Sequence, residues 1–266
     1  MGNSVVKKSL FGNIPSNVPR RFEYMHRKIF YIPSGRGYSI PILKHCGHNN
    51  ISSPNSLKII YSHGNCEDIE IVDALCHHLA VVLNATVYAY EYCGYGLHQL
   101  TENSTKPSEE NIYADATSVV DYVCSLTEQH SSVVVYGRSL GTAPAIYIAS
   151  QRPQLGACIL ESPFLTPAKT VIQSKTSRTL LAPFGLFGSH ALFPNERYIK
   201  EISIPILMIH GERDKIVPFS HSLELKNLAL RSIYISTYWI KRAGHTTCIF
   251  LMVLEYSTRS RVSSLH

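Results

Sequence analysis

"VVVYGRSLGTAPAIYIA", residues 133–149, is the stretch on which the fold turns. Four strand-forming residues, Val133 to Tyr136, run into Gly137-Arg138-Ser139-Leu140-Gly141, and small and aliphatic residues follow without a charge. This predicts a strand, a tight turn and a helix from about Leu140 to Ser150. The turn has the G-x-S-x-G pattern, in which a strained strand-to-helix corner lifts a serine hydroxyl above the C-terminal edge of a sheet. Both glycines are needed there, because a Cβ at either would collide with the neighbouring strand or helix. Five residues with two glycines also make an ordinary tight turn, so the surroundings must decide between the two.

Outward from this stretch, short apolar runs alternate with helix-length periodic segments. Strands are expected at Tyr38 to Lys44, Leu57 to Ser62, Thr86 to Tyr90, Gly156 to Leu160, Ile204 to Ile209 and Tyr234 to Ile240. Val72, Leu75, Cys76, Leu79, Val82 and Leu83 recur at helical steps, as do Ile112, Ala116, Val119, Val120 and Val123 behind the N-cap candidate Ser108. Alternation of this kind predicts a mainly parallel sheet with helices on both faces, an α/β class domain. It stops between Pro163 and Ile199, where "TLLAPFGLFGSHALFPN" has no clean period. A segment of that length inside an α/β domain is expected to be a lid over a site, or else a pair of packed helices. The domain is taken as residues 31–255 with its lid at about 163–199, after a basic segment 1–30 and before a polar tail 256–266.

Composition bounds the rest. The chain has 266 residues, 45% of them apolar, and a formal net charge of +6, which is ordinary for a packed globular protein. Lys7, Lys8, Arg20, Arg21, Arg27 and Lys28 stand against Glu23 near the N-terminus. With no nucleic-acid motif in the chain, that concentration favours peripheral contact with anionic lipid, or a solvated segment. The 7 cysteines are scattered and include no C-x-x-C pair, as expected of reduced core thiols. No secretory h-region and no apolar run near a membrane span is present. The expected location is therefore cytoplasmic, at most peripheral to a membrane such as the plasma membrane or an endosome. His45-Cys46-Gly47-His48 and His77-His78 lack a second ligand pair for metal, and Gly94-x-Gly96 lacks the third glycine of a dinucleotide site. No metal and no cofactor is expected.

A serine hydroxyl is a weak nucleophile unless a base and an orienting acid accompany it, in the chain order Ser, Asp or Glu, His. Asp214 lies in "HGERDKIVP" just past the Ile204 to Ile209 strand, and His245 lies in "KRAGHTT" just past the last one. Glu212 and Glu161 are alternative acids. Acyl transfer also needs oxyanion donors. The backbone N–H of Leu140 is one candidate and that of Asn65, in "YSHGNCED", is the other, with Cys66 as its alternative. His63 and His210 are read as structural histidines that tie loops together. Arg138 has no assigned role.

The motifs "SHGN", "YEYCGYG", "KPSEENIYAD", "VVVYGRSLGTAPA", "ILESPF", "LFPNERYIKEISIPILMIHGERDKIVPFSHSLEL" and "AGH", in this order, resemble the α/β-hydrolase superfamily. More narrowly they resemble the branch of α/β-hydrolase domain-containing protein 17. That resemblance implies an α/β-hydrolase fold and a serine hydrolase that removes palmitate from cysteines of membrane-associated proteins. Ser139 would be nucleophile, Asp214 acid and His245 base. Other outcomes on the same fold are a carboxylesterase, an acylglycerol lipase, a peptidase-like hydrolase or a non-catalytic scaffold. The chain departs from that branch in having no cysteine before Cys46, opening instead with Met1-Gly2-Asn3-Ser4-Val5-Val6-Lys7-Lys8. This begins like a myristoylation signal, with Val6 where Ser or Thr is expected.

Overall fold

The computed structural model describes residues 29–47, 56–100, 106–173 and 192–246. Within them lies a sheet of 8 strands: β1 (Ile29–Pro33), β2 (Ser39–Cys46), β3 (Lys58–Ser62), β4 (Thr86–Tyr90), β5 (Val133–Arg138), β6 (Ala157–Glu161), β7 (Ile206–Gly211) and β8 (Ile235–Ile240), in the order β1-β2-β4-β3-β5-β6-β7-β8. β2 pairs antiparallel with both β1 and β4, and every pairing from β4 through β8 is parallel. The chain therefore has the α/β-hydrolase fold.

Parallel strands need crossover connections, and their helices cover the two faces of the sheet. The helices are α1 (Asp73–Val82), α2 (Glu109–Ser125), α3 (Thr142–Gln151), α4 (Pro167–Gln173), α5 (Asn195–Tyr198) and α6 (Ser220–Leu228). Side chains alternate across each strand. Ile60, Val133, Val135 and Leu160 thus join Ile112, Val119, Val123 and Ile146 in one core, while Ile59, Tyr61, Val87 and Tyr136 join Cys76, Leu79 and Ala80 in a second. Every residue of the central strands β3 and β5 is buried, as double coverage requires.

Sequence and structure differ where side-chain pattern is weak. α1 buries Cys76, Leu79 and Ala80, but Leu83, expected on the same face, is 41% exposed because the helix ends at Val82 and Leu83 caps it. β1 begins at Ile29, inside the segment read as an N-terminal extension, and as an edge strand it buries only Ile32. The buried face of α6 is His221, Ser222 and Leu225, too polar to give an apolar stripe. The turn after β5 is a 3₁₀ turn, Ser139–Gly141, before α3 starts. Residues 1–28, including Gly2, the middle of the supposed lid at 174–191, and the tail 256–266 lie outside the described residues. No helix among the described residues is long and apolar enough to cross a membrane.

Candidate active site

Because β3, β5, β7 and β8 run parallel, the loops after them open on one edge of the sheet. Ser139 is at the corner after β5. Its φ of 51° lies in the left-handed region that L side chains rarely adopt, a conformation held only where surrounding structure enforces it. The enforcement is steric. A Cβ on Gly137 would overlap the Gly141 carbonyl, and one on Gly141 would overlap the Ser62 and His63 carbonyls. The corner is thus pressed between α3 and the end of β3, leaving Ser139 half-buried and its hydroxyl free to face the loops after β7 and β8.

Those two loops are bonded to each other. Glu212 N–H donates to the Ile240 carbonyl at 3.1 Å and Arg213 N–H to the Ala243 carbonyl at 3.0 Å. Asp214 and His245 are thereby brought face to face, with His245 Nδ1 2.7 Å from Asp214 Oδ2 and His245 Nε2 3.0 Å from Ser139 Oγ. Asp214 Oδ1 accepts the N–H groups of Ile216 and Val217 at 2.8 and 2.9 Å. Burial acts to raise the Asp214 pKa, but hydrogen bonds from His210 and His245, the charge of His245 and the Val217 N–H together hold it well below the usual carboxylate range. An ionised carboxylate only accepts, so Nδ1 of His245 carries the proton and Nε2 is left as the acceptor of the Ser139 O–H. The structure therefore brings Ser139, His245 and Asp214 together and leaves Glu212 and Glu161 out of that contact.

His210, read as a loop tie, also supports the acid. It is fully buried, donates from Nε2 to the Val217 carbonyl at 3.0 Å, and that same nitrogen lies 3.3 Å from Asp214 Oδ2. Its Nδ1 then accepts the Ser222 O–H at 2.6 Å, which explains the polar inner face of α6. His63 likewise sits fully buried, with the Gly64 carbonyl 2.9 Å from Nδ1 and Glu91 Oε1 3.1 Å from Nε2.

Of the two amides expected to face an oxyanion, one is in the corner itself and the other in the turn after β3. Leu140 follows Ser139 directly. Asn65 is in a turn closed by the Glu67 N–H and the Gly64 carbonyl at 3.2 Å. Glu67 Oε2 takes the Gly64 N–H at 2.7 Å, so the amides that neither the turn nor this carboxylate uses are those of Asn65 and Cys66. Tyr95 O–H donates to Asn65 Oδ1 at 2.7 Å.

Sequence reading missed Arg138 and Glu67. The Arg138 guanidinium pairs through Nη1 with Glu67 Oε1 and faces Glu161 Oε1 from Nε at 3.4 Å. Burial raises the pKa of Glu161, and Arg138 and the Tyr136 hydroxyl, 2.9 Å from Oε2, work against it. The signal available beforehand was an arginine in a turn otherwise without charge. Among the described residues no group of three His, Cys, Asp or Glu is placed to hold a metal. His45 instead pairs with Asp73 at 2.7 Å. Of the thiols read as core residues, Cys76, Cys93 and Cys158 are buried, whereas Cys46 and Cys66 are exposed. Both exposed thiols lie where the chain leaves a strand, Cys46 at the end of β2 and Cys66 in the turn after β3.

A family model described as serine aminopeptidase, S33, matches residues 53–196. The α/β-hydrolase domain-containing protein 17B of Homo sapiens is 33% identical over 197 residues, 73% of this chain and 62% of that protein. The α/β-hydrolase domain-containing protein aho-3 of Caenorhabditis elegans is 30% identical over 194 residues, 72% of this chain and 53% of that one. The chain thus spans between 53% and 62% of the length of these curated relatives. Among solved structures, the Pyrococcus furiosus esterase Pf2001 aligns with a TM-score of 0.63 at 16% identity, covering 88% of this chain and 89% of the esterase. The Pyrococcus horikoshii acylaminoacyl peptidase aligns with a TM-score of 0.67 at 11% identity, covering 90% of this chain and 42% of the peptidase. At such identities the likeness is one of fold.

Proposed function

The chain belongs to the α/β-hydrolase superfamily, and from that we propose that it is a serine hydrolase of long-chain acyl thioesters or esters, most specifically one that removes palmitate from S-acylated cysteines of membrane-associated proteins. The observation that carries the hydrolytic part is the relay in which His245 stands 3.0 Å from Ser139 Oγ and 2.7 Å from Asp214. Ser139 Oγ attacks the acyl carbonyl while its proton passes to His245 Nε2, and Asp214 stabilises the imidazolium that forms. The N–H groups of Leu140 and Asn65 receive the oxyanion. As the tetrahedral species collapses, the carbon–sulfur bond breaks and His245 returns the proton to the departing thiolate. Water then attacks the acyl-enzyme, again losing its proton to His245, and the fatty acid leaves as Ser139 regains its hydrogen. The thioester preference rests on the motif resemblance. Membrane-bound substrates would be approached through the basic N-terminal segment.

Hydrolysis rates on a palmitoyl-thioester peptide, a short-chain ester, a monoacylglycerol and a dipeptide, with fluorophosphonate labelling, test the proposal. The expected outcome is labelling of the wild type, none of Ser139→Ala, and the largest kcat/KM on the palmitoyl thioester. Preference for the ester, acylglycerol or dipeptide would keep the hydrolase and reject the depalmitoylase. An unlabelled, folded wild type would leave a scaffold.

A further inference from the structure

Arg138 is the one long, charged side chain in the corner that presents Ser139, and it is only 9% exposed. Arginine is rarely so buried without a defined partner. Here three segments surround its guanidinium. Nη1 pairs with Glu67, in the turn after β3; Nε faces Glu161, at the end of β6, at 3.4 Å; and Nη2 reaches the carbonyl oxygen of His245, in the loop after β8, at 3.4 Å. Glu67 extends the chain, since its other oxygen holds the Gly64 N–H at 2.7 Å. One side chain on β5 therefore touches the turn that carries Asn65 and the backbone of the residue that faces the Ser139 hydroxyl.

As a device for stability this arrangement is poor. Glu161 is fully buried, and neither its Oε1 nor Arg138 Nε has a well-formed hydrogen bond. Buried ion pairs of that quality are commonly matched by apolar residues of similar volume. What a planar, multiply donating guanidinium does supply is a fixed angle between the groups it touches. Fixing these groups matters because a displacement of about 1 Å among reacting groups costs roughly 100-fold in rate.

We infer that Arg138 and Glu67 form a positioning pair that sets the Gly64–Glu67 turn and the His245 backbone against Ser139 before substrate arrives. The inference rests on the serine-hydrolase reading. Neither side chain touches the reacting atoms.

Glu67→Gln keeps an acceptor for the Gly64 N–H but loses the ion pair, and it leaves Arg138 beside Glu161, so the fold should survive. Arg138→Met, Arg138→Lys and the Arg138→Met/Glu67→Gln double variant complete the set. The readouts are kcat and KM on p-nitrophenyl butyrate, the fluorophosphonate labelling rate, and thermal melts. Glu67→Gln and Arg138→Met are each expected to lower kcat and labelling rate at least about 10-fold with KM within about threefold. The double variant should be no slower than the slower single one, since both break the same pair, and Arg138→Lys should fall between Met and wild type. If Arg138→Met does not fold, Glu67→Gln alone decides. Folded variants that keep kcat within about twofold, or single losses that multiply in the double, overturn the positioning role while leaving the hydrolase reading intact. A wild type that neither turns over nor labels overturns both.

Discussion

Three carboxylates compete in the sequence for the place beside His245, and Asp214 alone has the geometry. Its Oδ2 is 2.7 Å from Nδ1, whereas the Glu212 side chain is exposed and Glu161 turns to Tyr136 and Arg138. An asparagine at 214 would present either an amide oxygen or an NH2 group to the ring, and the NH2 orientation selects the wrong tautomer, with the proton on Nε2. Asp214→Asn is therefore expected to lower kcat on p-nitrophenyl butyrate by about 1,000- to 10,000-fold. Glu212→Gln should change it by less than about threefold, as a surface substitution does. Equal losses in the two variants would reject Asp214 as the orienting acid. Motif order made Ser139 and His245 legible, because each follows a strand at a short, recognisable turn. It favoured Asp214 by its place past a strand end but kept Glu212 and Glu161 as alternatives, because the reach of a loop carboxylate depends on how the loops after β7 and β8 bond to each other. It marked His210 only as a tie between loops and gave Arg138 no role, since nothing in a linear pattern shows that a loop histidine backs Asp214 or that an arginine turns inward.

Asp115, on α2, shows how one helix binds elements distant in sequence and what that does to stability. Its carboxylate is fully buried and accepts the Tyr38 O–H at 2.7 Å, the Cys93 N–H at 2.8 Å and the Ser34 O–H at 3.4 Å, joining the β1–β2 hairpin to the loop after β4. Burial pushes its pKa up to about 6, with the Cys93 and Tyr38 donors pulling it back. In the unfolded chain an aspartate titrates near pH 3.9. Between about pH 4 and pH 6 the unfolded chain has thus released a proton that the folded one keeps, and stability falls as pH rises; below that interval the burden is absent, and above it the burden is complete. Asp115→Asn does not titrate. Urea melts at pH 4, 5, 6 and 7 should show wild type losing about 2 kcal/mol relative to this variant across that range. Parallel curves would mean that the three donors keep the carboxylate ionised. The helix itself was legible, with Ser108 accepting the Asn111 N–H at 3.1 Å as its N-cap and the expected stripe buried. What the sequence did not show is that the "KPSEENIYAD" and "FPN" motifs meet: the Glu109 carboxylate accepts the Phe193 N–H at 2.8 Å, a contact across segments that no local pattern encodes. β1 and α6 went unread because an edge strand and a helix with a polar inner face carry little apolar periodicity.

At the scale of the molecule, parallel strands bring the loops after β3, β5, β7 and β8 to one sheet edge, and charge distribution bears on what meets that edge. Most of the fold class was readable because strand and helix periods alternate over nearly the whole domain, and that alternation permits few sheet orders. The N-terminal charges carry no such pattern. Lys7, Lys8, Arg20 and Arg21 lie outside the described residues, and only Glu23 opposes the basic residues in that part of the sequence. If that segment draws the enzyme to acylated substrates on a membrane, its attraction is electrostatic, about 1 kcal/mol per basic residue near an anionic surface. The full chain should then sediment with phosphatidylcholine vesicles containing phosphatidylserine and much less with phosphatidylcholine alone. Replacing Lys7, Lys8, Arg20 and Arg21 by Gln should weaken that binding at least about 10-fold. Raising salt toward 1 M, where the Debye length is about 3 Å, should erase the difference between the two proteins. Because the Ser139, His245 and Asp214 relay draws on none of these residues, kcat on p-nitrophenyl butyrate should be the same in both, while hydrolysis of a palmitoyl peptide held on anionic vesicles should fall with the binding. Vesicle binding that persists at high salt, or survives the four substitutions, would place the membrane contact elsewhere on the chain and remove the basic segment from the proposed function.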